Sequence, residues 1–316
     1  MLKIAAHEID KTYPDGWGME FEFNIPHTCT NRQQRQKGKM CGVELIRWIL
    51  YADDVVLFCK SVSEAEKLLN IINDTCNRFG LTVSFKKTKT QVFNNDELAK
   101  KSSLFSIQGN DIENVLNFTY LGHVITNDEN NCFTEHRIAS ATSKFNELRK
   151  VLTDTNVHMC TRRKLLEACV RSRLAYGTQA SLPNAKQMKK LEACWYRILR
   201  NMIKGGWACG ESPDGSEEVN YSFLYTNTEV QEVIKTIPLR DFIHTQHLKY
   251  IAHVCRGPNT SITKIMLFAK PTRRYYRDPW LKIAELLGIT ADQAKRSTQS
   301  RGEFAKLVWQ RFSLTL

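Results

Sequence analysis

No apolar run in this sequence approaches the ~20 residues needed to cross a bilayer, which leaves no candidate for a membrane-spanning helix. Nothing at the N-terminus reads as a secretory signal either, because residues 1–9 are a short stretch interrupted by Lys3, His7 and Glu8. The ten cysteines form no CxxC pair and keep no regular spacing, so neither a disulfide framework nor a zinc ribbon is expected. His27, Cys29 and Cys41 lie closest together and lack a fourth ligand at a usual zinc spacing. Reduced thiols point to the nucleus or the cytoplasm. Internal repeats and low-complexity blocks are also missing, and a hydrophobic content of 42% argues against wholesale disorder. Acid is in short supply. Thirty-three Asp and Glu face 45 Lys and Arg, a net charge of +12, which would draw in a polyanion over long range. The same charge also suits a basic protein with no such partner.

With 316 residues the chain is long enough for two hydrophobic cores. Residues 1–45 read as irregular: a short helical start (Leu2, Ile4, Ala5, Ile9) ends at the turn signal Pro14-Asp15-Gly16, and residues 31–39 form a polar basic loop. Further on, Leu45 to Leu50 and Val55 to Phe58 are β-branched and aromatic runs on either side of Asp53-Asp54, which predicts two buried strands joined by a tight acidic turn. Ser61 and Glu64 form a capping box for a helix with Ala65, Leu68, Leu69, Ile72, Cys76 and Phe79 on its apolar face, and Gly80 is its C-cap glycine. Residues 81–85 alternate like a strand, and shorter strands are expected at 91–93, 104–108 and 118–125. From residue 133 the pattern turns helical, with stripes Ile138-Ala141-Phe145-Leu148-Leu152, Leu166-Val170-Leu174 and Leu191-Trp195-Ile198-Met202. Residues 205–230 read as a linker, with helices resuming to about 255 and again from 279.

Two naked carboxylates between strongly apolar strands would repel at close range, and a cation relieves that repulsion. Nucleotide addition is one chemistry that needs such a pair. Charge builds on the attacking and leaving oxygens, and two Mg2+ ions roughly 4 Å apart, held by carboxylates, stabilise both.

The resemblance extends beyond the four residues Tyr51-Ala52-Asp53-Asp54. Residues 48–58 resemble the motif C hairpin of reverse transcriptases, with the alanine of the non-LTR (LINE-type) retrotransposon branch. Residues 79–89 are similar to motif D, and residues 118–125 look like motif E, the primer grip. Arg173-Leu174-Ala175-Tyr176-Gly177 resembles the end of a thumb helix in the same family. The resemblance implies an α+β fold: a partial polymerase palm, an antiparallel sheet with a packed helix, then a mostly helical thumb and a C-terminal helical region. The corresponding divisions are residues 1–44, 45–128, 129–204, 205–230 and 231–316.

By the same resemblance Asp53 would bind the catalytic Mg2+ ions, and Asp54 would contribute less directly. Tyr51 would lie near the primer terminus. Lys87, with Lys89 second, would protonate the leaving pyrophosphate; a lysine there also neutralises phosphate charge without transferring a proton, or simply belongs to an exposed basic turn. Leu121, Gly122 and His123 would form the primer-grip turn, with His123 structural or phosphate-contacting. The third helix carries Lys186, Lys189, Lys190, Arg197, Arg200 and Lys204 against the single acid Glu192, a face suited to a nucleic-acid backbone or to plain solvent. Arg273-Arg274-Tyr275-Tyr276-Arg277 interleaves arginines with aromatics, suiting stacked bases or a helix edge. The implied partners are an RNA template, a DNA primer and deoxynucleoside triphosphates; nothing in the sequence fixes an oligomeric state.

Family members also carry motif A, with a further metal-binding aspartate, and motif B, both upstream of motif C. Only 50 residues precede Tyr51, and Pro14 argues against a central strand at residues 9–15. The expectation is therefore a polymerase fragment with an incomplete metal cage, or an inactive remnant that still binds nucleic acid.

Overall fold

The computed structural model describes residues 2–13, 17–23, 42–126, 132–203, 207–210, 220–223, 225–258, 261–268 and 279–312. The turn at 14–16, the basic loop at 31–39, the His27, Cys29 and Cys41 group and the arginine-tyrosine run at 273–277 lie outside the described residues. The fold is α+β and divides into two compact units, Met1–Glu129 with Asn259–Tyr276 and Asn130–Pro258 with Arg277–Leu316. No helix among the described residues is long and apolar enough to cross a membrane.

The first unit departs from expectation at once, since the described residues up to 46 lie mostly in regular elements. They contain α1 (Leu2–Thr12), β1 (Met19–Phe23) and β2 (Gly42–Ile46), the two strands antiparallel with Met19 opposite Ile46 and Phe23 opposite Gly42. Ala5 and Ile9, one turn apart on α1, are fully buried against Leu68, Ile72 and Cys76 of α2 (Val62–Arg78), together with Trp17. A stripe of two residues is weak in sequence; it becomes a core once a second helix offers the complementary stripe. Glu8 ties the pair with bonds from Arg78 (2.6 Å) and the Thr75 hydroxyl (3.3 Å).

α2 begins and ends as its sequence dictates. Ser61 accepts from the Glu64 amide (3.1 Å), while the Glu64 carboxylate reaches the Lys60 N–H (2.5 Å), one residue before the position a capping box uses. At the other end Gly80 takes φ +69°, its N–H bonds to the Asn77 carbonyl and the Leu81 N–H to that of Cys76, a Schellman closure. Phe79, expected on the apolar face, is half exposed because it lies past the last helical turn.

Residues 81–85 form no strand. Residues 81–84 are irregular and 85–87 turn, with the Ser84 carbonyl accepting from the amides of Lys87 and Thr88 (3.0 and 2.9 Å). Alternation alone makes no strand where no neighbour supplies a ladder. The strand expected at 91–93 is displaced to β5 (Lys89–Thr90), which pairs in parallel with β7 (Asn110–Asn114). On its other edge β7 meets β6 (Ser103–Ile107), which touches α2. Before β6 lies the one-turn helix α3 (Asp96–Ala99), whose last carbonyls accept from the Asn114 amide. The 118–125 segment forms the hairpin of β8 (Asn117–Tyr120) and β9 (His123–Thr126).

In the second unit the three helical stripes behave as read. They lie on α4 (Cys132–Leu152), on a run from α5 (Met159–Leu166) through a π-helical turn (Glu167–Arg171) into α6 (Ser172–Ala175), and on α7 (Ala185–Met202). Phe145, Leu152, Leu166, Leu174, Leu191 and Trp195 are all buried in one core with residues of α8 (Asn227–Ile234) and α9 (Leu239–Arg256). The buried Arg162 guanidinium binds the carbonyls of Leu152, Val157 and Met202, so one side chain satisfies the ends of two helices. The segment read as a linker contains β10 (Trp207–Gly210) paired with β11 (Asn220–Phe223), and α8 starts inside it. Beyond α9 come α10 (Ile262–Phe268, in the first unit), α11 (Pro279–Leu287), α12 (Ala291–Ser297) and α13 (Arg301–Arg311).

Candidate active-site hairpin and basic helix

β3 (Trp48–Tyr51) and β4 (Asp54–Leu57) pair antiparallel in the register Trp48–Leu57, Ile49–Val56, Leu50–Val55 and Tyr51–Asp54, leaving Ala52 and Asp53 as a two-residue turn. Ala52 has φ +52° and Asp53 is not in the positive region, as in a type II′ turn, where glycine usually holds the first place. Tyr51, Asp53 and Asp54 are thus brought to one tip, and all three are exposed. Among the described residues no side chain donates to either carboxylate, and no group of three or more His, Cys, Asp and Glu side chains could hold a metal ion. Asp10, on α1 N-terminal to the hairpin, is committed elsewhere, accepting from Arg47 (3.0 Å) and the Trp17 indole (3.3 Å).

The expectation of buried strands is corrected. Only Trp48 and, on β4, Val55, Val56 and Leu57 are part-buried, Trp48 meeting Trp17 edge-on at 5.6 Å, whereas Ile49, Leu50 and Tyr51 are 44, 41 and 61% exposed. A continuous apolar run suits burial on both faces, but the described residues give β3 no partner except β4.

The two lysines part company. Lys87 is exposed on the 85–87 turn, while Lys89 lies on β5 and forms an ion pair with Glu113 of β7. Leu121 and Gly122 are the central residues of the β8–β9 turn with φ +49° and +74°, a type I′ pair, so Gly122 is explained by turn geometry. His123 follows as the first residue of β9, opposite Tyr120 and half-buried.

Tyr120 escaped the sequence reading. Its hydroxyl is shut away from solvent with no hydrogen-bond partner among the described residues. Burial, and then the negative charge of Asp54, push the phenol above its usual range. The only available signal was the placing of Tyr120 directly before the Leu121-Gly122 turn.

On α7, Lys186, Lys189 and Arg197 are exposed, and Lys190 bonds Glu135 of α4 (3.0 Å). Arg200 does not belong to the exposed basic face. It is 8% exposed, and its guanidinium donates to the Tyr225 carbonyl (3.2 and 3.1 Å) and to Asn227 Oδ1 (2.7 Å), holding the start of α8. A count of charges along a helix does not say which of them the neighbouring helix covers.

Residues 25–125 match the family model described as reverse transcriptase (RNA-dependent DNA polymerase), about a third of the chain. The matched span holds the acidic hairpin, both lysines and the Leu121-Gly122 turn, and the match supports the RNA-directed DNA polymerase family in general terms. No curated protein matches the chain, and no solved structure does.

Proposed function

We propose that this chain carries the motif C to E portion of a LINE-type reverse transcriptase palm, followed by its helical thumb, and that it engages an RNA template paired with a DNA primer. The observation that carries the reading is the two-residue turn presenting Asp53 and Asp54, uncompensated by any described cation, inside the span matched by the reverse transcriptase model. Tyr51 stands beside them for the primer end, and the exposed Lys87 suits a phosphate or pyrophosphate better than Lys89, which is engaged by Glu113.

The donor chemistry fits Mg2+, since both side chains offer hard oxygen ligands at one exposed tip. Asp53 and Asp54 would hold the ion. Bound there, Mg2+ would supply charge stabilisation to the attacking and leaving oxygens. Among the described residues these two carboxylates are fewer than the family uses, so the expectation is weak ion binding and no primer extension by this chain.

A primer-extension assay with Mg2+ tests the reading together with a binding titration on the same RNA–DNA duplex. The expected result is duplex binding without extension. Extension abolished by Asp53→Asn would show the cage to be sufficient as it stands; absence of binding at low salt would remove the polymerase reading of this chain.

A further inference from the structure

Folding hides most of an indole, and Trp17, Trp195 and Trp280 of this chain are buried. Trp309 is different: it stands 69% exposed on α13, although Phe304 and Val308 of the same helix are buried. One and two turns back along the exposed side of α13 are Ala305 and Gly302, and a Cβ at Gly302 would touch nothing within 4 Å. A helical side chain leans over the turn that precedes it, so the indole lies above small residues that leave its ring open. Lys306 and Arg301, at spacings of three and eight residues, are exposed on the same side and have no ion-pair partner among the described residues. α12, packed against α13, adds the exposed Lys295 and Arg296. Residues 291–311 thus hold five Lys and Arg against two acids, Asp292 and Glu303.

An exposed indole alone selects nothing. Between cations it selects a partner that joins a flat ring to negative charge. Single-stranded nucleic acid offers both at every nucleotide, whereas a duplex keeps its bases stacked on one another. A lipid surface fits less well, because one ring among small residues buries little apolar area.

We propose that α12 and α13 form a single-strand binding site, in which a base stacks on the Trp309 indole and the adjoining phosphates lie against Lys306 and Arg301. The site falls outside residues 25–125 and does not rest on the polymerase reading.

The test titrates the full chain into fluorescein-labelled oligo(rU) and oligo(dT) of about 15 nucleotides, read by anisotropy, with circular dichroism confirming that each variant is folded. Trp309→Ala should weaken single-strand binding about 5- to 100-fold, the range of one base stacked on one ring, and Trp309→Phe should weaken it less. A loss on one oligonucleotide alone would name its sugar as part of the ligand. Indole emission should be quenched by the strand in the unmodified chain and not in Trp309→Phe, which separates stacking from charge. Lys306→Gln should lower the salt slope by about 0.7. Affinity for a fully paired RNA–DNA duplex should stay within about twofold in the Trp309 variants. Unchanged single-strand binding in Trp309→Ala, or equal weakening on the duplex, would overturn the site. So would a dimer, or binding to anionic vesicles, that Trp309→Ala abolishes while oligonucleotide binding stays intact. Duplex binding is read separately, so loss of the palm reading and loss of this site are distinguishable.

Discussion

Gly18 turns the chain just after the buried Trp17 with φ +101°, and a Cβ there would lie 2.5 Å from the Ile46 carbonyl oxygen and 2.9 Å from the Arg47 Cα. Both obstacles are backbone, so neither can swing aside. Gly18→Ala should destabilise the first unit by about 2 to 3 kcal/mol, read as a lower denaturant midpoint. His247 makes a different prediction. It is buried on α9, its Nδ1–H donates to the Gln179 carbonyl (2.8 Å), and Nε2 has no partner among the described residues. Burial, aided by the charges of Lys282 and His244, pushes its pKa down to about 4, against the bond to Gln179, which favours the charged ring. The unfolded chain, near 6.5, thus binds the proton more readily. Stability from this group is complete above pH 6.5 and is lost as pH falls towards 4, by on the order of 3 kcal/mol. His247→Asn should be less stable at neutral pH, with the gap to the unmodified protein closing across that window; a constant gap would remove His247 as the cause. Neither residue could be singled out in the sequence. The space around Gly18 is set by Ile46 and Arg47, and the bond of His247 by Gln179, all far from them in sequence.

Elements were legible where their determinants are local. The Ser61 cap, the Gly80 closure and the three apolar stripes of the second unit each depend on residues within a few turns, and they stand as read. Burial of β3 and the strand at 81–85 were misread because both depend on a distant partner, which periodicity cannot supply. The acidic turn lies between these cases: its position was legible, and its geometry follows from an alanine forced to φ +52°. Left-handed backbone costs an L-residue roughly 1 kcal/mol or more that glycine does not incur. Ala52→Gly should therefore tighten the β3–β4 hairpin by about 0.5 to 1 kcal/mol, after the greater freedom of glycine in the unfolded chain is set against the relief, and Ala52→Val should loosen it. Amide exchange at residues 48–57 reads both, and equal protection in all three proteins would place the strain elsewhere.

At the scale of the whole molecule the basic balance of +12 supplies an attraction that no single contact specifies. Each phosphate neutralised by a lysine or arginine releases condensed counterions, so binding to an RNA–DNA duplex should fall steeply as salt rises from about 50 to 200 mM. The structure divides the arginines of α7 into two kinds. Arg197 faces solvent, whereas Arg200 is spent on Tyr225 and Asn227 inside the second unit. If α7 tracks a nucleic-acid backbone, Arg197→Gln should weaken binding uniformly across duplex sequences and flatten the salt dependence by about one counterion, with little change in stability. Arg200→Gln should do the reverse. It leaves the Tyr225 carbonyl without its donor and the start of α8 unsupported, so stability falls by about 1 to 3 kcal/mol while the salt slope of the folded fraction is kept. Equal slopes for Arg197→Gln and the unmodified chain would mean that the exposed face of α7 serves solvent alone, and that the polyanion, if bound, lies along other basic residues.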